Sequence, residues 1–237
     1  MEKREKMYEG KAKIIYATSD PNVIIHFFKD EATAFDGKKK GIIRGKGKVN
    51  AALSSLLFKY LEENGVKTHF IKRISENEIV TKKLRMFPLE VIVRNVAAGS
   101  LAKRMGYEEG KPLNQTVVEF YYKSDELGDP ILLPDHIFEA GLATPEELAE
   151  MREVALEVNE ILKPLFERAH LILVDFKLEF GRDNGNILLG DEISPDTCRL
   201  WDKESGEKMD KDRFRRDLGN VEEAYEEVLR RLQKVLQ

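Results

Sequence analysis

Hydrophobic and polar positions follow two rhythms along this chain. A two-residue alternation dominates much of the first hundred residues and the stretch 171–192. It predicts strands, because successive strand side chains point to opposite faces. Residues 11–16 and 23–28 are read as strands parted by the turn residues Ser19-Asp20-Pro21. Residues 49–61 switch to helical spacing, with Val49, Leu53, Leu56, Leu57, Tyr60 and Leu61 on one stripe and Gly65 as a stop. Strands follow at 69–74, 79–84 and 89–96, and one more at 117–123 among loops that fill 106–135. Thr144-Pro145-Glu146-Glu147 is a capping-box start whose helix carries Leu148, Met151, Ala155, Val158, Leu162 and Leu165. A hairpin at 171–192 and a helix from Val221 close the pattern. Strands that do not alternate one-to-one with helices predict an α+β fold. A small β-rich lobe, 1–87, and a larger mixed α/β lobe, 88–237, would meet near Phe87-Pro88, with a ligand between them.

Composition narrows the setting. The chain has 237 residues, 42% hydrophobic, which is enough for a real core. No run approaches the roughly 20 apolar residues of a membrane helix. Residues 1–9 are charged, which predicts no secretory leader and a cytoplasmic protein. Cys198 is the only cysteine, so an internal disulfide or a thiolate zinc site is excluded. The net charge of -4 argues against a general nucleic-acid binder. Charge is uneven: 38–48 (KKKGIIRGKGK) is basic, as for an anion site or a solvated loop.

Candidate chemistry concentrates in four segments. In LVDFKLEFG (173–181), alternation places Asp175, Lys177 and Glu179 on one face, and Val174, Phe176, Leu178 and Phe180 on a core face. Asp183-Asn184-Gly185-Asn186 turns the chain back toward Asp191. Glu179 and Asp191, with triphosphate oxygens, would suit Mg²⁺. A strict two-residue turn would set Asp191 opposite Leu178, toward the core, so an irregular turn is expected. In PLEVIVRN (88–95), Glu90, Ile92 and Arg94 share a face, and Ala97-Ala98-Gly99-Ser100 leads into a helix. Arg94 and Ser100 there would suit a phosphate, or Arg94 would simply pair with Glu90. Gly10-Lys11-Ala12-Lys13 offers a close-approach glycine and two lysines on one strand face. Residues 191–202 gather acids, Arg199 and Trp201. Cys198 has no base beside it in sequence and is read as a small buried residue. His26, His69, His136 and His170 lack ligand spacing.

Together these segments resemble the SAICAR synthetase family of purine biosynthesis, from Tyr8-Glu9-Gly10-Lys11-Ala12-Lys13 to about Tyr225. PLEVIVRNVAAGS (88–100), LVDFKLEFG (173–181), LGDEISPDTCRLWD (189–202) and MDKDRFR (209–215) carry the likeness. The resemblance implies a monofunctional carbon–nitrogen ligase with a two-lobed, kinase-like or ATP-grasp-like fold and ATP in the cleft. It would join L-aspartate to the carboxylate of 5-amino-1-(5-phosphoribosyl)imidazole-4-carboxylate (CAIR), with ATP and Mg²⁺, through an acyl phosphate. By the resemblance Gly10, Lys11, Lys13, Lys82, Met86, Glu90 and Lys123 contact ATP, and Glu179 and Asp191 hold Mg²⁺. Asp36, Arg94, Ser100, Asp175, Lys177, Arg199 and Arg215 bind substrate. Lys177, Asp196 and Arg199 act in catalysis, and the loop 38–48 closes over substrate or aspartate. A homodimer is implied, with no nucleic-acid or membrane partner. A kinase-like phosphotransferase fits less well, since the chain has no HRDxxxxN loop and Lys177 stands where a DFG glycine would. An RNA-binding module built on 38–48 lacks interleaved aromatics.

Overall fold

The computed structural model describes residues 2–34 and 37–237. The strands are β1 (Lys3–Glu9), β2 (Lys13–Thr18), β3 (Val23–Phe28), β4 (Glu31–Ala34), β5 (Lys39–Ile42), β6 (Phe70–Arg73), β7 (Glu78–Lys82), β8 (Arg85–Met86), β9 (Leu89–Val96), β10 (Pro112–Tyr122), β11 (Ile131–Leu132), β12 (Leu171–Asp183), β13 (Asn186–Gly190) and β14 (Cys198–Asp202). The helices are α1 (Lys46–Glu63), α2 (Gly99–Met105), α3 (Pro134–Glu139), α4 (Pro145–Arg168), α5 (Asp212–Arg215) and α6 (Val221–Leu236), with one 3₁₀ turn at Asp125–Leu127. A five-stranded sheet runs β1-β2-β3-β7-β6. A second sheet runs β11-β10-β9-β12-β13, and the long β12 also pairs β14 and β8. Every pairing between these strands is antiparallel, and the helices are not crossovers between parallel strands, so the fold is α+β.

The helices form where the apolar rhythm placed them. In α4 the predicted stripe from Leu148 to Leu165 is buried. The Thr144 hydroxyl accepts from the Glu147 N–H at 3.2 Å, and Glu147 returns a bond to the Thr144 N–H at 2.9 Å. Helix α1 begins three residues earlier than predicted, inside the basic segment, and Lys46 is only 1% exposed. One apolar cluster joins α1, α4 and α6 to β9 and β12, through residues such as Leu57, Leu162, Val228, Val91 and Phe176. Among the described residues no helix is long and apolar enough to cross a membrane.

Two expectations for β12 are corrected. The turn is the strict two-residue one: Asp183 pairs Asn186, with Asn184 at φ 49° and Gly185 at φ 83°. The ladder then ends with Gly190 opposite Glu179, and Asp191 leaves it in the left-handed region, at φ 58°. That departure, not an irregular turn, turns the Asp191 side chain to Lys13 instead of the core. Val174 likewise does not share the Phe176 face. The register slips between Leu173 and Asp175 against β14, and Val174 packs with Ala98 and Trp201 in a separate cluster. The bulge absorbs one residue, so Leu171 and Leu173 precede it on the main core side and Phe176, Leu178 and Phe180 follow on that same side.

Candidate active site

Beyond the bulge, β12 presents Asp175, Lys177 and Glu179 on the face away from the core. Glu179 is 3% exposed and accepts from Lys177 Nζ at 2.7 Å and from Lys123 Nζ at 2.5 Å. Lys177 also donates to Glu90 at 2.9 Å, and its Nζ stands 3.9 Å from Asp191. From the other sheet, Lys13 Nζ hydrogen-bonds Asp191 and lies 3.0 Å from Glu192. Burial opposes the charge on Lys13 and Lys177, but the surrounding carboxylates more than offset it and raise both pKa values. Burial likewise opposes ionisation of Asp191, and Lys13, Lys177 and Lys123 outweigh it and hold that carboxyl well below its usual range. Lys13, Lys177 and Asp191 are therefore charged at neutral pH.

These side chains line one end of a cleft of about 410 Å³ between the sheets. Ile15, Ile24, Leu84 and Met86 line its apolar part, and Gly10 and Lys11 lie at its rim. The Gly10 N–H bonds the Lys13 carbonyl at 2.8 Å, and a Cβ at Gly10 would sit 3.1 Å from the Tyr8 ring. An apolar slot ending in lysines and carboxylates fits a planar base carrying an anionic tail. Glu179 and Asp191 supply hard oxygen donors on either side of Lys177, a donor set suited to Mg²⁺ alongside phosphate oxygens. Among the described residues no group of three or more His, Cys, Asp or Glu side chains is placed to hold a metal by itself.

A second cluster continues along the same strand face. Arg94, 1% exposed, donates from Nε to Glu119 at 2.7 Å, from Nη1 to Asp175 at 2.8 Å and from Nη2 to Ser100 Oγ at 3.1 Å. Its partners are thus Glu119 and Asp175, not Glu90. Arg199 donates to Asp175 at 2.9 Å and to Asp212 at 3.0 Å, and Arg215 donates to Asp212 at 2.6 Å. A Cβ at Gly99 would lie 2.5 Å from Arg199 Nη2, so glycine alone lets this guanidinium rest on the start of α2. Three arginines thus meet beside a hydroxyl, each already held by a carboxylate.

Of the candidate residues, Gly10, Lys11, Lys13, Lys82, Met86, Glu90, Lys123, Lys177, Glu179, Asp191 and Asp196 line the cleft. Arg94, Ser100, Asp175, Arg199 and Arg215 form the second cluster. Asp36 lies outside the described residues. Both Asp196 oxygens are held by the protein, one by Lys46 Nζ at 2.7 Å and one by Tyr225 OH at 2.8 Å. The basic segment divides. Lys39 ties β5 to the Phe214 carbonyl at 2.6 Å, while Lys46 enters the protein interior. Sequence reasoning missed Lys46, Glu119, Glu192, Lys211 and Asp212. Lys211 and Asp212 lie within MDKDRFR, but nothing local marks their partners. Lys211 lines the cleft, makes no ion pair among the described residues, and has its pKa lowered by burial. Asp125 and Asp129 also reach the cleft, Asp125 through Lys11 at 2.6 Å.

The model of one protein family, SAICAR synthetase, matches residues 6–232. The chain belongs to the SAICAR synthetase family. It is 56% identical to the phosphoribosylaminoimidazole-succinocarboxamide synthase of Clostridium botulinum (strain Loch Maree / Type A3), over 99% of this chain and 100% of that one. A crystal structure of the synthase from Ehrlichia chaffeensis superposes with a TM-score of 0.95 at 48% identity, covering 97% of this chain and 98% of that one. A SAICAR synthetase solved in complex with ADP gives 0.93 at 52% identity, covering 96% and 97%. Membership fixes the activity as ATP-dependent ligation in purine biosynthesis.

Proposed function

We propose that this SAICAR synthetase joins the amine of L-aspartate to the carboxylate of CAIR through an acyl phosphate, with Mg²⁺, and that its two clusters divide the work. A carboxylate is a poor electrophile. Its oxygen first attacks the γ-phosphorus of ATP, and ADP leaves with the bond electrons. The aspartate amine then attacks the activated carbonyl carbon, phosphate departs with the former carboxylate oxygen, and the amine gives up a proton. The ionic environment suits positioning and charge neutralisation better than nucleophilic catalysis by the enzyme.

The apolar slot beside Lys82 and Met86 takes adenine, and Gly10, Lys11, Lys13 and Lys123 cover the phosphates. Glu179 and Asp191 would hold Mg²⁺, which neutralises charge on the transferring phosphoryl group. Arg94, Ser100, Arg199 and Arg215 receive the phosphate of CAIR, and Asp175 orients Arg94 and Arg199 and meets its ribose or amine. Lys177 steadies the reacting carboxylate. Lys211 offers a cation to the incoming aspartate. Asp196 acts by fixing Lys46 and Tyr225 around the site. Asp36 binds substrate, and the segment 38–48 frames the site instead of closing over it, since Lys39 is tied to Phe214 and Lys46 is buried against Asp196. The β-rich lobe 1–87 covers the nucleotide and 88–237 carries the CAIR and metal sites. The working form is a cytoplasmic homodimer, which sedimentation would check.

One observation carries this division. Asp175, with its arginines, and Glu179, with its lysines, flank Lys177 on one strand face, two residues to each side, about 7 Å each way. Phosphate and triphosphate subsites therefore converge on a single ammonium group. CAIR labelled with ¹⁸O in its carboxylate tests the chemistry. The label is expected in released phosphate, and label-free phosphate would rule out an acyl phosphate.

A further inference from the structure

Four buried carboxylates surround the arginines of the second cluster, and one of them, Glu119, pairs with Arg94. Asp175 and Asp212 are ion-paired. Asp210 is fully buried and, among the described residues, makes no ion pair. Its oxygens accept two backbone N–H groups instead: Oδ2 from Leu200 at 2.7 Å and Oδ1 from Asp212 at 2.7 Å. One bond reaches back to β14 beside Arg199. The other reaches forward to the first residue of α5, which carries Arg215. Asp212, held by its own N–H, then gives one oxygen to Arg199 Nε and the other to Arg215 Nη1. A buried carboxylate without a paired cation is costly, and two backbone hydrogen bonds offset only part of that cost. The placement is therefore poorly explained by stability alone.

We propose that Asp210 is a positioning residue, whose carboxylate clamps the backbone at Leu200 and Asp212 so that Arg199 and Arg215 are set to receive the phosphorylated substrate. The inference rests on CAIR being that substrate and on the arginine cluster being its phosphate site. Asp210 has no exposed surface, so it acts through the backbone at Leu200 and Asp212.

The clamp is sensitive to pH. Asp210 faces Cys198 and Arg199 from β14, Asp212 from α5 and Tyr225 from α6, with Asp175 on β12 beyond Arg199. Burial, and then the Asp212 charge, push its carboxyl up to about 7. Protonation turns one oxygen into a donor facing an N–H, so one of the two bonds is lost. The clamp is complete above that pH and loosens below it. Asn at this position has a single acceptor oxygen and mimics the loosened state at any pH.

The test is steady-state kinetics of the full chain and Asp210→Asn between pH 6 and 8.5, corrected for the ionisation of CAIR's own phosphate, with thermal melts alongside. Wild type should show a KM for CAIR that rises as pH falls through 7, with KM for ATP flat. Asp210→Asn should show a KM for CAIR raised about tenfold at pH 8, independent of pH, with KM for ATP within about twofold of wild type. A variant with wild-type KM for CAIR, or one that weakens CAIR and ATP alike, overturns the proposal. Should the variant not fold, the wild-type profile decides: a KM for CAIR constant from pH 8 to 6 overturns it. Wild type with no CAIR-dependent ADP release would instead remove the functional reading beneath it.

Discussion

Lys123, Lys177 and Lys13 hold the carboxylates of Glu179 and Asp191, the proposed metal ligands. Glu179→Gln keeps the shape but removes the charge. Turnover of Mg²⁺-ATP is expected to fall at least about 100-fold. The fold should survive, because Lys123 is half exposed and can return to water. Near-normal turnover would refute the metal assignment. Arg94 behaves differently. Arg94→Ala would take one cation from buried Glu119 and Asp175, leaving them Arg104 and Arg199 as partners, and would confound binding with folding. Arg94→Lys keeps the charge and loses the fork, so KM for CAIR should rise while KM for ATP stays near wild type. Equal weakening of both would place Arg94 elsewhere.

Elements were legible where one face alone is buried and where local signals agree. The capping box, the apolar stripe of α4 and the Asn184-Gly185 turn are of that kind. Strand β1 was missed because all seven of its residues are exposed, so no alternation marks it. The bulge at Val174 was hidden because β12 is covered on both faces, and apolar residues suit either one. Asp191 was rightly kept from the core, but by its own backbone angle, which no spacing rule reveals. The arginine cluster was legible only as residue types. Glu119 and Asp212 are joined to Arg94 and Arg199 by strand pairing and chain return, not by sequence neighbourhood. Gly185 tests the turn in isolation. Gly185→Ala forces a side chain into φ 83° and should cost about 1 kcal/mol, some 2–4 °C in melting temperature, with kcat unchanged. A loss of kcat as large as that of Glu179→Gln would mean the hairpin register feeds directly into the site.

At the scale of the molecule, the cleft joins two sheets through charges that neither sheet could bury alone. Lys13 comes from one, and Asp191 follows the last strand of the other. Lys46 on α1 and Asp196, 150 residues later, make a second tie. His26 and His69 line the same cleft, and burial is the chief cause of both low pKa values, with His69 pushed down to about 3. Unfolded, each takes a proton near 6.5, so the neutral folded form is favoured fully above that pH. For His69, stability is lost as pH falls from 6.5 toward 3, by up to about 1.4 kcal/mol per pH unit, and His26 acts in the same direction. His69→Gln should flatten the acid limb of the melting curve between pH 6.5 and 4; an unchanged limb would put the acid lability elsewhere.

The measurement closest to the central claim is ADP release by the purified chain with Mg²⁺-ATP, CAIR and L-aspartate, each omitted in turn. ADP should appear at the full rate only with all three present, together with SAICAR in equal amount. Rapid ADP release without CAIR, or no release from folded protein that binds ATP, would contradict the account.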